Sequence, residues 1–369
     1  MVPLEINPGN TIFTVLSWEG PDAYSLAGGL GVRITELTEA LAKAGFTTHL
    51  FFIGDPSREG QESRQGGKLI LHRWCQWLSQ YYPDGVYHGE DAKLQDFNAS
   101  IPRYVANQIV GPAAAEGKIV VVMGEEWHTT EALCRTSDLL HYLGLRNHVL
   151  TLWNANNIFS FERINWGRLA YTTTITTVSR YMKHLMWRLG VNPWVIPNGI
   201  PGRLLEPVDQ SAARALREAI GCKLILFKVA RWHVDKRWDM AMDAIVTLKA
   251  MGKEVTFLVR GGIEPYGGEA LGRAHANGLE VKDIWNDAED VERYCRILRE
   301  AAKADVLNFK LPISQDMLKL FYYLSDGVLA NSGHEPFGLV GLEAMAAGGV
   351  AYTGCTGGDY AIPLGNAMV

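Results

Sequence analysis

What most constrains this chain is an alternation of short β-rich runs and helix-like stretches that breaks at one cluster of prolines and glycines and then starts again. Runs at 11–17, 47–53, 118–123, 148–153, 173–178 and 194–196 are rich in apolar and β-branched residues, with helical spacing between most of them. The first two flank a Gly-rich turn and a helix that runs through Ala44 and stops at Gly45, which makes a βαβ unit. Strands joined in this way pair in parallel, because the helix carries the chain back to the end at which the first strand began. In Ile196-Pro197-Asn198-Gly199-Ile200-Pro201-Gly202, four of seven residues are Pro or Gly, and regular structure is interrupted there. Runs at 224–230, 255–260, 305–309 and 327–330, with a helix at 237–251, then resume the pattern. The expected fold is α/β, with one Rossmann-like doubly wound domain over 1–200 and a second over 201–369. The chain stops soon after the Gly-rich turn at 354–358, so the second domain is expected to be cut short at its C-terminus.

A length of 369 residues suits two cores better than one. The 35 Lys and Arg against 40 Asp and Glu lack the basic excess that a nucleic-acid backbone demands, which excludes that partner. Cys75, Cys134, Cys222, Cys295 and Cys355 are widely spaced with no C-x-x-C pair, and are expected to be idle thiols in a reducing cytoplasm. No D-x-D run and no His or Cys ligand spacing occurs, so neither a metal nor another cofactor is expected to be required. Residues 1–10 lack a basic stretch followed by an apolar run, and no apolar run is long enough to span a bilayer. A cytoplasmic protein is expected. Residues 181–194 mix Lys183, His184 and Arg188 with Leu185, Met186, Trp187 and Trp194. They suit either an ordinary amphipathic core helix or a peripheral membrane contact.

Ligands of open α/β sheets bind beyond the carboxyl ends of the strands, so loops that follow strands carry the chemistry. One such loop is Ala27-Gly28-Gly29-Leu30-Gly31, placed directly before a helix. Its missing side chains let backbone N–H groups approach a phosphate, or simply make a tight connection. Counting from Gly29, the dinucleotide fingerprint fails at Ile34, which weakens a nicotinamide-dependent reading. A second loop, Arg231-Trp232-His233-Val234-Asp235-Lys236, sets two cations between a strand and a helix. Arg can grip phosphate oxygens in bidentate fashion while Lys adds a point charge to a leaving group. The third, Gly333 to Gly348, places Glu335 before a helix and Glu343 about two turns inside it, where carboxylates can accept from sugar and ribose hydroxyls.

Arg231, Lys236 and the E-P-F-G-L-V-G-L-E run from Glu335 to Glu343 resemble the retaining glycosyltransferases of the GT-B fold, family 4 with its glycogen and starch synthase relatives. Further along the chain, Gly28-Gly29-Leu30-Gly31 resembles their donor-phosphate loop and Glu126-Trp127-His128-Thr129 their H-D-W-H-T segment. The resemblance implies two Rossmann-like domains facing each other across a cleft. It assigns Arg231 and Lys236 to the donor diphosphate, Glu335 to the sugar and Glu343 to the ribose. Phe337, Gly338 and Leu339 would line the donor site, and Gly28 and Gly29 would cover its phosphates. The implied reaction moves a hexose of glucose or mannose type from a nucleoside-diphosphate sugar to a carbohydrate or other hydroxyl acceptor, with retention. Trp153 stands where relatives often carry a His, so Asn154 and Asn156 are candidate sugar contacts, and His128 is a candidate acceptor contact or a structural histidine. A nucleotide-sugar isomerase or epimerase of the same fold, and a non-catalytic nucleotide-sugar binder, are the alternatives.

Overall fold

The computed structural model describes residues 5–221, 223–286 and 290–362. Cys222 and the C-terminal stretch expected to be cut short lie outside the described residues. The chain divides into two compact units, Met1–Gly199 and Ile200–Val369.

The first unit contributes β1 (Thr11–Leu16), β2 (Thr47–Ile53), β3 (Gln61–Arg64), β4 (Leu69–Trp74), β5 (Ile119–Glu125), β6 (Val149–Ala155), β7 (Thr174–Thr177) and β8 (Trp194–Val195). They form one sheet in the order β3-β4-β2-β1-β5-β6-β7-β8, parallel except for the antiparallel β3–β4 pair. Inner strands such as β5, with the run Ile119-Val120-Val121-Val122, are apolar on both faces, as helices on each side of a parallel sheet require. Val15, Leu50, Phe52, Leu69 and Leu71 pack with Ile34 of the helix Gly29–Lys43 into one core cluster. The sequence order reverses at β1, so the crevice beyond the carboxyl ends of β1 and β5 is the switch point where such sheets hold ligands.

The second unit adds β9 (Leu224–Val229), β10 (Val255–Arg260), β11 (Val281–Ile284), β12 (Val306–Phe309), β13 (Gly327–Ala330) and β14 (Ala351–Thr353). Their order is β11-β12-β10-β9-β13-β14, all parallel, with the reversal at β9. Phe227, Leu258, Phe321 and Tyr322 are completely or almost completely buried between this sheet and the helices on one face.

The expected strands all form, with ends moved by at most two residues. The strands β3, β4, β11 and β14 were not anticipated. β3 is polar throughout and sits at the sheet's edge, where it has no apolar face to betray it. One expectation is corrected. The helix in 181–194 is Arg180–Trp187, capped by the Ser179 hydroxyl and burying Met182 and Met186. The chain then turns at Gly190, φ 75°, and Trp194 belongs to β8. Trp187 and Trp194 therefore do not share one helical face. Among the described residues no helix is long and apolar enough to cross a membrane. Cys75, Cys134 and Cys295 are buried, Cys355 is exposed, and none of the four is in a disulfide.

Candidate functional site

In the second unit β9 and β13 are paired only at Leu226↔Gly327 and Phe227↔Val328, after which they diverge. The loops that leave their ends carry the predicted residues. Beyond β9, Trp232 is buried against Trp238, ring centroids 4.1 Å apart, and the Trp238 indole N–H donates to the Arg231 carbonyl at 2.9 Å. The paired indoles hold the backbone and leave the Arg231 side chain exposed. A short turn, Val234–Lys236, is closed by Arg237 in the left-handed region, φ 49°, before the helix Trp238–Ala250. Lys236 thus reaches Glu335, ninety-nine residues away in sequence, and donates from Nζ to Oε1. Ser332 Oγ donates to the same oxygen at 2.8 Å.

Glu335 is fixed by its backbone. Its N–H donates to the Cys355 carbonyl at 2.8 Å, and its own carbonyl accepts from the Gly357 N–H at 2.7 Å. The Gly333 N–H donates to the Asp235 carbonyl at 2.7 Å and so couples the two loops. Gly338, φ 77°, opens the helix Leu339–Ala346. A Cβ there would meet the Thr356 hydroxyl at 2.8 Å, so glycine is required on both counts. Thr356 donates to the Phe337 carbonyl at 2.6 Å, and Phe337 packs against Tyr360. Glu343 is the fifth residue of this helix, little more than one turn in, which corrects the expected two turns. It accepts from the Tyr322 hydroxyl at 2.9 Å, and burial beside this carboxylate pushes the Tyr322 phenol well up.

Sequence reasoning missed Lys228, which lies within β9 and is 1% exposed. Its signal was a charge inside the otherwise apolar run Leu224-Ile225-Leu226-Phe227-Lys228-Val229. It donates to the Leu329 carbonyl at 3.0 Å and to Asn331 Oδ1 at 2.6 Å, with the ammonium 5.1 Å from the Trp238 ring centre.

The first unit gathers a different set at its own switch point. The amides of Gly28 and Gly31, at the start of the helix Gly29–Lys43, donate to Glu19 Oε2 at 2.9 and 3.0 Å, while Tyr87 donates to Oε1 at 2.7 Å. A buried carboxylate, which sequence reasoning did not single out, therefore occupies the anion position at this helix start. Gly31 permits its approach, since a Cβ there would lie 3.2 Å from the Glu19 carboxylate and 2.7 Å from Leu26. Gly29 has open space instead.

At the end of β5, Glu125 is buried against Arg33 Nη1 at 2.6 Å and accepts from Asn154 at 3.1 Å and Asn156 at 2.9 Å. The neighbouring Glu126 has φ 63° and accepts the Asn156 amide at 2.8 Å, and burial raises its carboxyl pKa to about 8. Asn154 and Asn156 thus orient Glu125 and Glu126. Trp153 is fully buried and donates to the Glu126 carbonyl at 3.0 Å. His128 is stacked between Trp18 and Trp127, at 4.4 and 3.9 Å between centroids, and bonds Glu90 at 2.7 Å. Desolvation lowers its pKa, the Glu90 partner opposing the fall. Among the described residues no group of three His, Cys, Asp or Glu is placed to hold a metal ion.

Residues 196–358 match the family model described as glycosyl transferases group 1. That segment takes in most of the second unit. D-inositol 3-phosphate glycosyltransferase from Mycolicibacterium vanbaalenii is 29% identical over 164 residues, 44% of this chain. That match spans only 33% of the relative's length. Sucrose-phosphate synthase from Thermosynechococcus elongatus has the same fold, with a TM-score of 0.66 at 19% identity over 97% of this chain and 85% of that one. The catalytic domain of starch synthase IV from Arabidopsis thaliana, bound to ADP and acarbose, gives 0.62 at 14% identity over 96% and 85%. Both likenesses run through the two units, which are the two halves of a GT-B fold.

Proposed function

We propose that this chain transfers a hexose, of glucose or mannose type, from a nucleoside-diphosphate sugar to a hydroxyl of a carbohydrate or other small acceptor, with retention of anomeric configuration. The observation that carries the reading is the Lys236–Glu335 pair at the ends of β9 and β13, beside the exposed Arg231. Two cations on one loop neutralise a departing diphosphate, whose charge grows as the glycosidic bond breaks. Glu335, held by its backbone on both sides, accepts from sugar hydroxyls, and Glu343 from the ribose. The helix start at Gly338 and Leu339 turns amides towards the phosphates, with Phe337 packed beneath. The Gly28 amide is taken by Glu19, so the assignment of Gly28 and Gly29 to phosphate oxygens rests on the sequence resemblance. Asn154, Asn156 and His128 act by fixing Glu125, Glu126 and Glu90. The chemistry as proposed needs no metal, because Arg231 and Lys236 supply the positive charge, and retention rests on the sequence resemblance.

A thermal-shift series with UDP, ADP, GDP and their hexose derivatives tests the reading, since bound ligand stabilises the folded state by mass action. One nucleotide class is expected to raise the Tm, its sugar derivative to raise it further, and the extra shift to vanish in Glu335→Ala. Turnover of that donor is expected to fall roughly a hundredfold or more in Lys236→Ala. Unchanged turnover in that variant overturns the assignment.

A further inference from the structure

Lys228 is not explained by the reading above. A lysine completely withdrawn from water inside a parallel sheet is costly, and an apolar side chain of similar length would fill the same space at no electrostatic cost. Its surroundings show what the charge does. The β9–β13 ladder ends at Phe227↔Val328, and the next residue on β9 is Lys228. Its ammonium takes over where the backbone hydrogen bonds stop, spanning to the Leu329 carbonyl and to Asn331 Oδ1. Asn331 is then held at both ends, since its Nδ2 donates to the Arg237 carbonyl at 3.4 Å. One side chain on β9 therefore binds both the end of β13 and, through Asn331, the residue that follows Lys236.

We propose that Lys228 is a positioning residue that ties together the two loops carrying Lys236 and Glu335 and takes up a proton when a diphosphate is captured there. The second part rests on the proposed function, and the first stands on the contacts alone. The charged groups that face Lys228 are Lys236 on the β9 loop and Glu335 on the β13 loop. Its partner on β10 is Val259, the residues opposite on β13 are apolar, and the helix Trp238–Ala250 presents Trp238. Burial, reinforced by Lys236 and opposed by Glu335, brings the ammonium pKa down to about 7. A diphosphate held by Arg231 and Lys236 adds negative charge beside it and restores its proton. Protonation strengthens both hydrogen bonds of the strut, so anion capture and loop order reinforce each other.

The test uses isothermal titration of UDP, ADP and GDP into the full chain at pH 8, in buffers of different ionisation heat, with Lys228→Met, Lys228→Arg and Asn331→Ala. The wild type is expected to take up a fraction of a proton with the nucleotide it binds. Lys228→Met is expected to bind it roughly tenfold or more weakly and without the uptake. Lys228→Arg, always charged, should recover affinity but not uptake. If Lys228→Met does not fold, Asn331→Ala answers in its place, with affinity lowered and the uptake changed. A folded Lys228→Met with wild-type affinity and wild-type proton uptake overturns the proposal. A wild type that binds none of the three nucleotides overturns the functional reading instead. The strut is then judged by amide exchange at residues 331–337, where rates in Lys228→Met equal to wild type reject it.

Discussion

Each unit closes its switch point with charge, and the two do so with opposite signs. In the first, Glu19, Glu125 and Glu126 are buried, and Arg33 is paired with Glu125. In the second, Lys236 pairs with Glu335, with Lys228 buried nearby and Arg231 exposed on the same loop as Lys236. Folds of one architecture can thus present an electrostatic surface fit for an anion or one fit for hydroxyl and amide donors, and only the residues after the strands decide which. The first cluster is also satisfied from within: glycine amides, Tyr87, Asn154 and Asn156 serve the carboxylates. The second leaves Arg231 exposed.

Arg33→Met gives the sharpest break in this contrast. Removing the guanidinium leaves Glu125 buried without its counter-charge, with an expected loss of about 3–5 kcal/mol of stability. Urea unfolding measures it, and a loss near zero would mean that the amides of Asn154 and Asn156 suffice to hold the carboxylate. A smaller effect, with a definite sign in pH, belongs to Glu126. Its carboxyl pKa is about 8 in the folded chain against 4.5 for an ordinary glutamate. Between those values the folded state holds a proton that the unfolded state has lost, so this group's contribution to stability falls as pH rises through the window. Glu126→Gln is expected to gain on the order of a few kcal/mol relative to wild type at pH 9 and little at pH 4. Equal gains at both would mean that the cost of Glu126 does not come from its titration. The smallest effect is Gly29→Ala. Its Cβ meets nothing within 4 Å, and stability should rise by up to about 1 kcal/mol. A fall in turnover alongside that rise would show that a ligand packs on Gly29, whereas unchanged turnover would leave the glycine a local connection.

The sequence made the paired switch points legible unevenly. β1, β2, β9, β10 and β13 were visible because buried parallel strands are continuous apolar runs, and Lys236 and Glu335 because each follows such a run. Glu19 was not, since nothing in periodicity or spacing links a carboxylate to glycine amides nine and twelve residues on. Nor was the environment of His128. A lone histidine in sequence does not announce the two tryptophans that enclose it, one of them from the end of a different strand. Glu343 was placed too deep because the helix begins only at Leu339, after the left-handed Gly338. Lys228 could have been found: a charge in the middle of a core strand always needs an account of what receives it.

The hairpin of β3 and β4 has a consequence for the molecule in a crowded solution. Its outer strand is Gln61-Glu62-Ser63-Arg64, and Arg73, buried in β4, is gripped by Asp22 at 2.7 Å and by Glu62 at 2.5 Å. A neighbouring polypeptide adding a strand to this margin would have to displace or match the Glu62 and Arg64 charges, which also bond each other at 2.5 Å. An otherwise open parallel sheet is thereby finished with a short polar hem that discourages growth into aggregates.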